Sequence, residues 1–184
     1  MLAGKILNEF EVNGEEVLIR YPTMKDAQDL QEHVNSLVEE NAKITLDKKR
    51  DLQEEVEFLA CVLKGVEKNE RIFLVSEINE SVMGKGEVIL TGKGVRSHVG
   101  FFEIDLNKEV RGMGIGEKLA KSVISEAKER LDVEILELGV YENNEVAKKL
   151  FKKLGFETVG IERDGVKKDD KYINSIIMTK DLRN

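Results

Sequence analysis

Apolar residues at Ala27, Leu30, Val34, Leu37 and Val38 recur at helical spacing, and Leu52, Val56, Leu59, Leu63 and Val66 repeat the pattern further on. The first stripe predicts a helix opened by Thr23, an N-cap candidate with Asp26 three residues on as a weaker stand-in for the usual capping-box Glu. The second predicts a helix from about Asp47 to Gly65, in which Cys61 reads as a small buried residue. Ahead of both, EVLIRY (16–21) reads as a short strand closed by Pro22, the only proline of the chain. The period then changes. Residues 71–77, RIFLVSE, and 82–90, VMGKGEVIL, predict adjacent strands with a polar turn around Asn79-Glu80. Beyond the loop TGKG (91–94), residues 96–106 form a third, largely buried strand. Ile115, Leu119, Val123, Ile124, Ala127 and Leu131 mark the inner face of an amphipathic helix over 115–131. A strand at 134–140, a short helix at 144–154 and strands at 156–162 and 171–179 complete the chain.

The elements are thus α/β in class, with seven strands and four helices. The strand–helix–strand run over 96–140 implies a right-handed parallel crossover inside a mixed sheet. No Ser- or Pro-rich linker and no repeat divides the 184 residues, so one domain spanning 1–184, with its core at about 16–180, is expected. With 29 basic and 36 acidic side chains the net charge is −7, and without a basic cluster to neutralise phosphates this argues against a nucleic-acid partner. One cysteine excludes an internal disulfide and a multi-cysteine zinc site, and two histidines, His33 and His98, argue against a histidine-rich metal site. No apolar run approaches the ~18 residues of a membrane span, and MLAGKILNEFEVNGEE has no secretory apolar core. A soluble, cytoplasmic protein is the expectation.

The segment Arg111-Gly112-Met113-Gly114-Ile115-Gly116 joins a buried strand to the 115–131 helix. Alternating glycines allow positive φ and let a ligand approach the backbone. First-turn N–H groups have no partner within the helix and sit at the positive end of its dipole, so the turn can cradle an anion. Arg111, Lys118 and Lys121 add positive charge nearby. The Rossmann fingerprint fails because Glu117 stands where its third glycine belongs, and a P-loop fails because no Gly-Lys-Ser/Thr follows. A glycine-rich chain reversal without a ligand, or the diphosphate of coenzyme A, remains.

Two motifs in register decide for the latter. Arg111-x-x-Gly114-x-Gly116 and Asn144-x-x-Ala147-x-x-Leu150-Phe151-x-x-x-Gly155-Phe156 resemble the signatures of the GNAT superfamily of N-acetyltransferases. The element order over about 16–180 agrees. The resemblance implies a mixed, mostly antiparallel sheet of about seven strands flanked by about four helices, with acetyl-CoA as co-substrate in a cleft between splayed strands, here 96–106 and 134–140. It implies that the pantetheine arm lies against Ile104, Asp105 and Leu106, and the diphosphate on the amides of Arg111, Gly112, Met113, Gly114, Ile115 and Gly116. Asn144 and Phe151 complete the expected cofactor-binding set, and Asn144 can also cap its helix.

The resemblance further implies direct transfer to a primary amine, either a protein N-terminus, a lysine, a polyamine or another small amine, with no metal. An amine of pKa about 10.4 arrives as ammonium and needs a base. Family members often carry a glutamate thirteen residues before the arginine of the first motif, where this chain has His98. Glu103, on the same strand with opposite parity, is the alternative base, and Asp105 a weaker one. Phe151 stands where the family often has a proton-donating tyrosine, so that role passes to water, or to Tyr141 or Tyr172. A module that binds acyl-CoA without turnover, and more remotely a dinucleotide-binding oxidoreductase using Glu134, are the rival readings. The acceptor and the oligomeric state, a homodimer among the options, stay open.

Overall fold

A computed structural model describes residues 2–92 and 94–183, so Lys93 of the expected 91–94 loop lies outside the described residues. The strands are β1 (Ile6–Val12), β2 (Glu15–Arg20), β3 (Arg71–Ile78), β4 (Ser81–Leu90), β5 (Val99–Leu106), β6 (Ile135–Tyr141), β7 (Glu157–Lys168) and β8 (Lys171–Asp181). The helices are α1 (Ala27–Glu39), α2 (Leu52–Glu67), α3 (Ile115–Arg130) and α4 (Glu145–Lys153). All eight strands form one sheet in the order β1-β2-β3-β4-β5-β6-β8-β7, one strand more than the sequence predicts. The added strand, β1, pairs antiparallel with β2 through Asn13-Gly14, both at positive φ (55° and 85°) as a tight hairpin turn requires. Asn79-Glu80 turns the β3–β4 hairpin in the same way, where the polar turn was expected.

Among the described residues only β5 and β6 run parallel, joined by the expected crossover through α3. Their pairing covers Val99–Phe101 against Ile135–Glu137 and then stops. From Phe102 onward β5 stays paired with β4, and β6 stays paired with β8, so the sheet opens into a gap.

Helix faces follow the apolar stripes with two adjustments. Thr23 and Asp26 form the capping box, around a short 3₁₀ turn (Met24–Asp26) that leads into α1. Asp51 caps α2 reciprocally with Glu54, so that helix starts at Leu52, five residues later than the expected Asp47. Its buried stripe is Glu55, Leu59, Val62 and Val66, which turns Cys61 out to solvent rather than into the core. Helix α3 covers one face of the sheet, where a Cβ on Gly86 would meet Val123 and Leu119. Phe151 of α4 packs edge-on to Phe102 on that same face, with ring centroids 6.1 Å apart. Helices α1 and α2 lie against the other.

Gly84 shows how tightly β4 fits the working edge of β5. A Cβ there would come within 2.3 Å of Leu106 Cδ2 and 2.8 Å of the Asp105 carbonyl oxygen. Because part of that clash is with backbone, Gly84→Ala is expected to lower unfolding free energy by about 1–3 kcal/mol, read from urea denaturation.

Candidate active site

The gap between β5 and β6 opens into a cavity of about 280 Å³. Because it passes through the sheet, both faces contribute to its wall. Lys85, Glu87, Glu103 and Asp105 line it from the α1/α2 face, and Ile104, Asn144, Ala147 and Phe151 from the α3/α4 face. Segment 42–46 crosses on the α1/α2 side, tied down where Tyr141 Oη donates to Ile44 O (2.7 Å) and Lys168 Nζ donates to Ala42 O (2.6 Å).

The β5 edge facing the gap has free backbone groups. Asn107 N–H donates to Met83 O on β4, so alternation turns the N–H groups of Leu106 and Ile104 the other way, toward β6. The Leu106 carbonyl is already taken by Arg111, whose Nε and Nη2 donate to it at 3.0 and 2.8 Å. The same guanidinium also grips the Glu40 carboxylate through Nη1 (3.2 Å) and Nη2. The Arg111 side chain therefore fastens the end of β5 to the segment following α1 rather than reaching over the glycine turn.

The turn itself is open. Gly112 and Gly114 have φ of 79° and 81°, and a Cβ on either would meet nothing within 4 Å. Gly114 is the N-cap of α3 and no side chain caps it, which leaves the first-turn amides bare. Gly116 serves closeness instead, since its Cβ would sit 3.0 Å from Leu106 Cδ1. Exposed Met113 and buried Ile115 flank these glycines. Lys118 lies over the Phe10 ring (4.4 Å), and Lys121 pairs with Glu117 at 2.8 Å, so neither nearby lysine is directed at the turn. Lys121 and Lys153 hold the Glu117 carboxyl down at about 2.

Asn144 Oδ1 accepts from Ala147 N–H (3.3 Å), the cap the sequence suggested. Phe151 is held by Phe102 and Phe156 and has no proton to donate. Tyr141 lines the cavity, but its hydroxyl proton is committed to Ile44 O. Tyr172 is 63% exposed on the β7–β8 hairpin and is not part of the cavity wall.

The two candidate bases separate. His98 lies in the turn before β5, where its carbonyl accepts from Glu134 and Ile135 N–H at the closed end of the gap. Five extended residues, roughly 17 Å, separate it from Glu103. The strand expected from residue 96 begins at Val99, and the imidazole is not part of the cavity wall. Glu103 is part of it, and among the described residues its carboxylate makes no side-chain hydrogen bond. Burial pushes its pKa up; Lys85 pulls it down, Glu87 and Asp105 push it up again, Arg71 opposes them, and the net shift is upward.

A buried polar group beside Glu103 joins Asp105, weighed from sequence as a weaker base, to His33, Lys85 and Glu87, which the sequence did not single out. His33 on α1 contacts Asp105 Oδ1 through Nε2 (2.5 Å) and Asn107 Oδ1 through Nδ1. Lys85 Nζ lies 3.2 Å from Asp105 Oδ2 and 3.3 Å from Glu87 Oε1. Burial raises the Asp105 pKa, but Lys85 and His33 outweigh it and hold the carboxyl at about 2. Its contribution to stability is therefore present above the ordinary carboxylate pKa and lost as pH falls from about 4 to about 2. Asp105→Asn is expected to cost about 3 kcal/mol at neutral pH and to flatten that part of the acid-unfolding curve, measured by denaturation across pH.

The sequence matches a model of the acetyltransferase (GNAT) domain over residues 19–177. This chain belongs to the GNAT acetyltransferases. Over 107 residues it is 28% identical to the L-amino acid N-acetyltransferase AaaT of Escherichia coli (strain K12), covering 58% of this chain and 66%, just under two thirds, of that protein. A GNAT-family acetyltransferase from Streptococcus pneumoniae superposes with a TM-score of 0.82 at 25% identity, covering 90% of this chain and 99% of its own. A putative acetyltransferase from Salmonella typhimurium, yncA, solved with acetyl-CoA, shares the fold at a TM-score of 0.80 and 20% identity, over 97% of this chain and 96% of its own.

Proposed function

We propose that this GNAT protein transfers the acetyl group of acetyl-CoA directly to a primary amine, with Glu103 as the base. The observation that carries this reading is the unpaired Glu103 carboxylate in a gap that pierces the sheet beside an open glycine turn. Donor and acceptor can enter such a gap from opposite faces and meet in it. The bare amides of 112–116 suit a diphosphate, and the free β5 edge suits an amide-bearing arm that pairs like an extra strand. Asn144 and Phe151 wall that side. Acetyl-CoA, when bound, supplies an activated thioester.

The chain's own groups then act on the acceptor. Glu103 draws the ammonium into the gap and takes its proton, leaving the nitrogen lone pair free to attack. The Leu106 N–H, facing the gap, donates to the carbonyl oxygen as negative charge builds there. A carbon–nitrogen bond forms as the carbon–sulfur bond breaks, the sulfur keeps the electron pair, and the surplus proton on the acylated nitrogen leaves to water. With a thiol pKa near 8.5, water suffices to protonate it, which accommodates phenylalanine at position 151.

The test is thiol release from acetyl-CoA over an amine panel, with products weighed by mass spectrometry. Amine-dependent release with acetylated product is expected. Tight acetyl-CoA binding with no release under any amine would overturn the reading in favour of a non-catalytic binding module.

A further inference from the structure

On the cavity wall away from the glycine turn, two arginines gather at one aromatic ring. The guanidinium carbon of Arg50 lies 4.6 Å from the Phe58 ring centroid and that of Arg71 lies 5.9 Å from it. All three residues line the same cavity as Glu103. Bringing two like charges together is unfavourable unless anions compensate, and each arginine has one: Arg50 Nη1 donates to Glu55 Oε2 (3.0 Å), and Arg71 Nε is 3.3 Å from Glu87 Oε2. The pairs are not symmetric in depth. The Arg50 and Arg71 side chains retain 23% and 19% exposure, while Glu55 and Glu87 retain 1% and 4%. All four residues border the cavity, but the guanidinium groups are the more exposed member of each pair. A guanidinium has five N–H donors; Arg50 spends one on Glu55, while Arg71 meets Glu87 as an ion pair without a hydrogen bond. Stacking on Phe58 fixes the groups without consuming the rest.

Further along the same sheet face the sign changes: beside the Lys85–Asp105 pair, Glu103 is the carboxylate left without a hydrogen-bond partner. Register places Arg71 opposite Ile89 on β4, and Glu103 opposite Glu87, so the two lie two strands and two residues apart on one sheet face. That is roughly 12 Å between Cα atoms, and both side chains reach inward from it.

We propose that Arg50 and Arg71, stacked on Phe58, form a carboxylate-binding subsite, and that the acceptor is a small amine carrying its own carboxylate, held with the amine at Glu103. This rests on the acetyl-transfer reading above and narrows it. A diamine would place its second ammonium against two guanidinium groups. A peptide N-terminus carries no carboxylate on its first residue to meet the two guanidinium groups. A free amino acid satisfies both ends: its ammonium meets Glu103, and its carboxylate takes the vacant N–H donors in the forked geometry that guanidinium favours.

The test uses matched acceptors that differ only in the acid group: leucine, leucinamide and 3-methylbutylamine, with the corresponding alanine and phenylalanine sets. Free amino acids are expected to exceed their amides and decarboxylated amines in kcat/KM in at least one set. In that set, Arg71→Gln and Arg50→Gln are each expected to reduce the preference about tenfold to a hundredfold, mainly through KM. Arg71→Lys, which keeps the charge but not the fork, should fall between. Acetyl-CoA affinity and melting temperature, measured on each variant, separate loss of the subsite from loss of the fold. Amides or bare amines matching or exceeding the amino acids in every set would overturn the subsite while leaving acetyl transfer standing. A preference that survives both glutamine substitutions in folded protein would also overturn it. If no amine of any kind is acetylated, the acetyl-transfer reading itself has failed.

Discussion

Gly114→Glu is expected to raise the dissociation constant for acetyl-CoA by about 100-fold or more in calorimetric titration, the loss of two charge-assisted hydrogen bonds. Two effects combine. At φ 81° any Cβ strains the backbone, which costs roughly 1–2 kcal/mol of stability for a non-glycine residue. The side chain then has free space, since nothing lies within 4 Å of its Cβ, and its carboxylate sits beside the bare amides of α3. A carboxylate at a helix N-terminus is itself stabilised, so it would occupy the position meant for the diphosphate. Gly114→Ala separates the two: it carries the strain without the charge and should lose less than tenfold in affinity. Arg111 does not rescue the glutamate variant, because its guanidinium is held by Glu40 and the Leu106 carbonyl. Wild-type affinity in a folded Gly114→Glu protein would show that these amides are not where the diphosphate binds.

What could be read from sequence was local. The glycine turn and the α4 cap depend on residues within one or two turns of chain, and both have the expected backbone form. The mixed sheet, its parallel crossover and the hairpin built on Asn79-Glu80 were legible as period and turn chemistry, and the last two strands as period alone. Strand β1 falls outside the predicted set, although Asn13-Gly14 is a strong hairpin signal, because only Phe10-Glu11-Val12 alternates ahead of it. Strand β7 runs on to Lys168, past the expected 162, because its distal half is largely polar and broken by a register shift between Glu162 and Val166, which leaves no clean alternation to read.

The acceptor side was illegible for a different reason. Lys85 and Glu87, Glu103 and Asp105, and Arg71 lie on three strands, and their meeting depends on β3, β4 and β5 pairing in one register. His33 joins from a helix stripe that otherwise reads as apolar. One clue was present: charges at alternate positions within otherwise apolar strands, KGE in β4 and EID in β5, are costly to bury without partners. Parity told His98 from Glu103, but only the point where β5 begins decided which of them reaches the gap.

Glu103→Gln is expected to reduce kcat by about 10²- to 10⁴-fold, the range for removing a general base, with a smaller change in acetyl-CoA affinity. The pH profile makes this specific. Burial, with Glu87 and Asp105 adding to it against Lys85 and Arg71, raises the Glu103 pKa, so the wild-type rate should climb with pH as that carboxyl ionises. Glutamine removes that limb. Stability should move the opposite way. Between the ordinary carboxylate pKa and its raised folded value, the native state holds a proton that the unfolded chain has released, so wild-type stability falls as pH rises through that window. Above it, ionised Glu103 is a standing destabilisation, and Glu103→Gln should melt no lower than wild type at neutral pH, the difference closing in acid. A variant that is slower yet no less stable marks a group kept for chemistry rather than packing. An unchanged rate and pH profile would instead leave proton removal to solvent.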